Sequence, residues 1–478
     1  MRNWMELHPG WARRAAQIAI VATTTVAAAC GSDGTTSTSS GQDATTAQDG
    51  TALDGSGDDG SGDDSAGADA TESDAAADSE AVDTTAADSA DAAVTCPAAT
   101  GDRPSRRSEQ VGAFDPKSNK LVMFGGSFGV PQNCGFPTAT FEEETWVYDV
   151  ACDSWTLSKA KGPQGRVRAT AAWVESLGKV VVFGGRWRNG SSGNYTLLKD
   201  LWAYDSAADS WTQISDGAGM SARFNHTMVS ADELGKLLVF GGNTSPSGLV
   251  YTATNDVWAY SFADGVWEKV TVAGQAPPKR FFAGGLWDGA NKRFVIFGGA
   301  DETLFADTAK YKDDLWAVDF SGATPTWKRL DLKASTKPDA RFWGELVMNK
   351  AVGHYVLFGG HDDAILGNRN DLWAYDTKAD DWGTLIYGDT FNKPANGFCS
   401  FPPDFTKMED NTPERRNGGL VTGGGGGLWI AGGKTDCGVI DDLWRYDFAK
   451  GSWEQKTPAT VGEACVRKGG LSCNDYCF

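Results

Sequence analysis

The sequence predicts an all-β chain built as a six-bladed β-propeller, with four antiparallel strands to a blade. Three observations carry that expectation. An apolar run ending in Gly-Gly recurs six times, at Met123–Gly126, Val182–Gly185, Val239–Gly242, Ile296–Gly299, Leu357–Gly360 and Ile430–Gly433. An aromatic segment follows each one: Thr145–Asp149, Asp200–Asp205, Asp256–Ser261, Asp314–Asp319, Asp371–Asp376 and Asp442–Asp447. A further Trp then closes each copy, at 155, 211, 267, 327, 382 and 453. The first Trp of successive copies stands at 146, 202, 258, 316, 373 and 444, so the steps are 56, 56, 58, 57 and 71 residues. A period near fifty with Gly-Gly and paired aromatics belongs to a propeller rather than to a solenoid of helices.

Taken in order, residues 1–30 read as a targeting segment. Arg13 and Arg14 precede an apolar run, Ala15–Ala29, which ends in small residues before Cys30. At about 15 residues that run is too short to span a bilayer. Val26–Cys30 resembles a bacterial lipobox, with Ala27 where Leu is usual. The resemblance implies that Cys30 is lipidated as the first mature residue. Gly31 and Ser32 stand where Asp would redirect sorting, so it further implies the outer membrane of a bacterial cell envelope, facing the periplasm or the surface.

Residues 31–95 contain 16 acidic residues and no Lys, Arg or aromatic residue. Asp, Ala, Gly, Ser and Thr bury too little apolar surface to fold, so the stretch reads as a disordered acidic linker. A chain of that length reaches about 45 Å root-mean-square, more where like charges repel. The formal net charge is −20. Without the linker (−16) and residues 1–30 (+2), residues 96–478 carry only −6. No basic face points to nucleic acid, and the membrane is expected to be met only through the N-terminal lipid.

Residues 96–478 hold the repeats and a Cys-containing tail, 457–478. In blade 2 the expected strands are 168–174, 179–183, 201–204 and 210–214. Gly-Gly ends the second strand, where side chains would obstruct close backbone approach. The rings of Trp-Ala-Tyr fill the wedge between blades, and the Asp after Tyr opens the last hairpin by bonding its own downstream amides. At these residues the chain resembles the kelch-repeat propellers, including the central domain of galactose oxidase, over about Arg106 to Lys456. Ser261, Val318 and Ala431 depart from the repeat.

Some members of that family are copper-radical oxidases, whose site takes two His, two Tyr and a Cys. Beyond the leader this chain has only His226, His354 and His361. The last two are seven residues apart on one strand, about 23 Å at the strand rise. No metal, cofactor or catalytic constellation is therefore expected. The reading is an envelope binding module for a protein or glycan, with a carbohydrate-active enzyme such as a sugar epimerase or oxidase, or a purely structural protein, as the alternatives. Oligomeric state is not legible.

The binding face is expected where the long loops lie, between second and third strands. Candidate ligand residues are Arg107, Arg166, Arg223, Arg280, Arg341 and Arg416, one at the start of each blade. Five of them lie 18 residues before their Gly pair and Arg416 lies 16 before. Either they form a cationic ring that accepts carboxylates, or they serve the architecture, neutralised by loop acids such as Asp301, Glu302, Asp362 or Asp363. Trp187, between Arg186 and Arg188, is the expected exposed anchor. Eight cysteines remain after Cys30, namely Cys96, Cys134, Cys152, Cys399, Cys437, Cys465, Cys473 and Cys477. In an exported chain they imply disulfides. All lie near the junction of the first and last blades. The expectation is that bridges clasp it, Cys399 to Cys437 and tail cysteines to Cys96 or blade 1.

Overall fold

The computed structural model describes residues 96, 98, 100–128, 140–190, 192–302, 311–362, 367–391, 406–407, 411–435 and 438–460. Six four-stranded antiparallel blades follow one another. Blade 1 is Val111–Asp115, Lys120–Phe124, Thr145–Asp149 and Ser154–Leu157. Blade 2 is Thr170–Val174, Lys179–Phe183, Leu201–Asp205 and Ser210–Ser215. Blade 3 is Thr227–Ala231, Lys236–Asn243, Ala253–Ser261 and Val266–Lys269. Blade 4 is Gly284–Asp288, Arg293–Phe297, Leu315–Asp319 and Thr326–Arg329. Blade 5 is Glu345–Asn349, His354–His361, Asn368–Asp376 and Asp381–Ile386. Blade 6 is Leu420–Gly424, Gly427–Thr435, Gly438–Asp447 and Ser452–Thr457. The short strand Arg416–Asn417 joins the last two blades into one sheet.

The repeat dictates the packing. The last Trp of one blade rests on the Phe before Gly-Gly of the blade before: Trp211 on Phe124 (5.1 Å between centroids), Trp267 on Phe183 (4.7 Å), Trp327 on Phe240 (5.5 Å), Trp382 on Phe297 (5.4 Å) and Trp453 on Phe358 (5.4 Å). Blade 6 has Ala431 in place of that Phe. There the buried Trp429 fills the space, stacked on Phe114 (5.9 Å) and tilted against Tyr148 (5.9 Å). The Asp after Tyr caps the last hairpin as expected: Asp149 accepts from the amides of Ala151 and Cys152, Asp205 from those of Ala207 and Ala208, and Asp447 from those of Ala449 and Lys450.

Adjacent blades are stitched by the second Gly of the pair. Its amide donates to the carbonyl of the next blade's first Arg: Gly126 to Arg166 (3.0 Å), Gly185 to Arg223 (2.9 Å), Gly242 to Arg280 (3.0 Å) and Gly299 to Arg341 (2.8 Å). The same bond closes the circle, from Gly433 to Arg107 (2.9 Å). Around it Arg107 N–H reaches Ile440 O, Arg103 donates to Thr460 Oγ1 at 2.6 Å, and Trp155 Nε1 donates to Thr457 Oγ1 at 3.2 Å.

One part of the expected covalent clasp is corrected: Cys96 is disulfide-bonded to Cys152 of blade 1, which removes it as a partner for the tail. Cys30, Cys134, Cys399, Cys437, Cys465, Cys473 and Cys477 lie outside the described residues. So do the leader, nearly all of the linker and most of the insertion after blade 5.

Candidate functional site

The six arginines found by their spacing are among the most buried side chains, each at most 2% exposed. Each uses its whole fork. Nε donates to the carbonyl two residues back, as in Arg280 to Pro278 O (3.1 Å). One terminal nitrogen donates to the first Gly carbonyl of its own blade: Arg166 to Gly184, Arg223 to Gly241, Arg280 to Gly298, Arg341 to Gly359 and Arg416 to Gly432, at 2.8–3.1 Å. Both terminal nitrogens clasp the Asp that opens the aromatic segment: Asp200, Asp256, Asp314, Asp371 and Asp442. In blade 1, Arg107 meets Glu144 at 2.6 Å. The same carboxylate also accepts the indole N–H of the Trp two residues later, as in Trp316 to Asp314 (2.7 Å).

Burial alone would raise these carboxyls. The Arg partner overrides it and holds Asp200, Asp256, Asp314, Asp371 and Glu144 below the usual carboxylate range. The neutralising acids are thus inside the repeat. Among the loop acids named from sequence, Asp301 pairs with Lys312 (3.2 Å) and Asp362 with Arg369 (2.6 Å) instead. The six guanidinium groups hold the blades together and present no free donor fork to a ligand.

Two residues past each of these arginines the chain enters the left-handed region: Glu109 (φ 62°), Arg168 (59°), Asn225 (56°), Phe282 (57°), Trp343 (56°) and Gly418 (58°). This conformation is uncommon for residues other than Gly and clusters at functional positions. It also explains why the innermost strands begin later than sequence suggests, at Thr170 rather than 168 in blade 2. Five hydrogen bonds link the six residues in turn around the axis: Glu109 N–H donates to Gly418 O, Arg168 to Glu109, Asn225 to Arg168, Phe282 to Asn225 and Trp343 to Phe282, at 2.6–3.2 Å.

Side chains of the ring plug the channel mouth. Arg168 reaches across with a forked pair to Glu109 (2.7 and 2.8 Å), donates to Tyr251 Oη (3.2 Å), and lies 5.4 Å from the ring centroids of both Phe282 and Trp343. Phe282 and Trp343 are themselves 4.1 Å apart. One guanidinium therefore touches groups from blades 1, 3, 4 and 5. Of the aromatics that follow Arg280 and Arg341 in sequence, Phe281, Phe282 and Phe342 are buried and Trp343 is partly exposed.

Outward from the plug, Trp187 sits half-buried on a two-residue ribbon, Arg186–Trp187 paired with Thr196–Leu197. Arg186 and Arg188 lie 3.9 and 4.4 Å from the ring centroid of Tyr195. Among the described residues neither is within salt-bridge distance of a carboxylate, and both keep a buried Nε without a partner. Burial first, and then the Arg168 charge, lower Arg186 to about 10.

Behind the plug runs a channel of about 1210 Å3, walled by the innermost strands and lined at its waist by Thr170, Ala172, Thr227, Val229, Leu346 and Val421. Glu345 stands in it with no hydrogen-bond or ionic partner among the described residues, and burial pushes its carboxyl up to about 7. Sequence reading missed Glu345 and the ring. The signal for the ring was present, as the residue two after each Arg.

A family model described as the KLHDC2/KLHL20/DRC7 Kelch-repeats domain matches residues 71–281, 134–349 and 225–463. The chain belongs to the kelch-repeat family. Among curated relatives, the chain is similar to Leucine-zipper-like transcriptional regulator 1 homolog of Drosophila melanogaster, 24% identical over 62% of this chain and 27% of that protein. It is also similar to Kelch domain-containing protein 10 of Xenopus tropicalis, 26% identical over 56% of this chain and 58% of that one. The chain thus spans about a quarter of the first relative and little more than half of the second. Among solved structures, YjhT shares the kelch fold, with 16% identity, a TM-score of 0.52, and coverage of 74% of this chain and 98% of that one.

Proposed function

We propose that this kelch propeller is a binding module whose loop face takes a carboxylate-bearing partner, an acidic protein segment or glycan. The observation that carries the reading is the half-buried Arg188, set against Tyr195 beside Trp187 with the buried Arg186 behind it, neither neutralised by an acid among the described residues. Arg forks carboxylates, and an aromatic anchor among cations gives such a contact most of its energy. Kelch propellers generally bind proteins, which favours the protein. The lipobox-like Val26–Cys30 and the acidic linker support an outer-membrane lipoprotein that holds the module away from its membrane.

The test is a glycan array together with cross-linking of the purified chain, followed by Trp187→Ala and Arg188→Glu. The ligand found should lose at least tenfold affinity in either folded variant, and its binding should weaken with salt. Unchanged affinity in both variants overturns the patch. Mass spectrometry of the mature N-terminus decides the anchor; a terminus other than lipidated Cys30 refutes it.

A further inference from the structure

The channel is a second site, independent of the loop-face reading. Its loop-face mouth is stopped by the Arg168–Glu109 pair wedged against Phe282 and Trp343. At its other end the lining reaches the exposed first hairpin turns, with Glu175, Glu233, Ala290, Val352 and Gly425 on the rim. The channel is therefore a pocket with its floor at the plug and its opening on the face opposite the long loops.

Glu345 opens the innermost strand of blade 5, two residues past Trp343, and both line the channel. The neighbouring strands leave it alone. No ionisable residue occurs on Leu420–Gly424 of blade 6. On Gly284–Asp288 of blade 4 only Asp288 does, at the turn end, and it accepts from Tyr355. His354 and His361 occupy the two ends of the paired strand in its own blade. Across the channel, the Nε2 of buried His226 bonds Thr170 at 2.7 Å, and burial and Arg223 hold that ring well below its ordinary range. Of the cations lining the channel among the described residues, Arg168 is already forked to Glu109, and Lys350 stands beyond the far end of the strand that Glu345 opens. Glu345 is thus a half-buried acid that opens on the channel with no counter-charge paired to it among the described residues.

A desolvated carboxyl without a partner is costly to ionise, and a cation brought beside it restores the charged form. We propose that the channel binds a small organic ammonium ligand, admitted from the turn face, and that Glu345 is its counter-ion. The apolar waist accommodates the ligand's hydrocarbon part, and Trp343 at the floor offers a ring face to the ammonium.

Benzylamine is the probe, with benzyl alcohol as its uncharged control, followed by titration calorimetry on the full chain. Benzylamine stays protonated between pH 6 and 8, whereas Glu345 must lose its proton to receive it. Affinity should therefore be about tenfold higher at pH 8 than at pH 6, with release of about half a proton per bound amine at pH 7, read from the heat in buffers of different ionisation enthalpy. Glu345→Gln should lose at least tenfold affinity and the pH dependence together, and Val352→Trp should slow association. The proposal is overturned by equal binding of the alcohol, by pH-independent affinity without proton release, or by unchanged affinity in Glu345→Gln. Proton release is measured on the unaltered protein, so the outcome does not depend on the variants folding. Association unchanged by Val352→Trp refutes the turn-face opening.

Discussion

At the scale of the residue, the anchor arginines illustrate how a correct position is compatible with two roles. Spacing located all six, because strand pairing fixes the distance from a blade's first residue to its Gly pair. What spacing does not carry is the partner. The partner was nevertheless written in every repeat, as the acidic residue two before the first Trp (Glu144, Asp200, Asp256, Asp314, Asp371, Asp442). That residue lies in the third strand of its own blade or immediately before it, and only the fold brings it against the Arg. The energetic consequence is large. Arg280 is fully buried and its removal leaves Asp314 charged in a desolvated place, so Arg280→Ala should cost about 3–5 kcal/mol. Arg280→Lys keeps a charge but loses the fork and should recover only part of it. Urea unfolding of the two variants measures both effects, and a cost below about 1 kcal/mol for the alanine would show that the clasp is not structural.

At the scale of the element, the blades were legible nearly residue by residue, since the aromatic grammar repeats and each departure has a local remedy. Ala431 is compensated by Trp429, two positions before the place where the sequence pattern has Phe. The starts of the innermost strands were not legible. The left-handed ring at Glu109, Arg168, Asn225, Phe282 and Trp343 follows no composition rule, because residues so different adopt it through bonds to the neighbouring blade rather than by their own propensity. Cysteine pairing was equally hidden, since eight residues allow 105 connectivities and only proximity selects Cys96–Cys152. That bridge closes a segment of 56 residues, for which a chain-entropy model gives about 4 kcal/mol. Cys152→Ser should lower the unfolding free energy by up to that amount and leave the other five blades paired. Hydrogen exchange that shows loss of protection in blades 3 and 4 would contradict so local a role.

At the scale of the whole molecule, the bond from Gly433 to Arg107 makes the last interface a copy of the others. Topologically the propeller then has an order but no origin: the positions of its ends are incidental to its shape. Arg103 and Thr460 already touch across that interface at 2.6 Å. A short Gly-Ser linker joining them, with new ends cut at the exposed connection near Gln275 between blades 3 and 4, should give a permuted chain that folds to the same propeller. Its circular dichroism and melting cooperativity should match those of residues 103–460 in their native order. Failure to fold would mean that the interface between first and last blades depends on the native ends after all. Success would mean that a partner domain can be carried at any of the six junctions, with the loop face turned toward it at will.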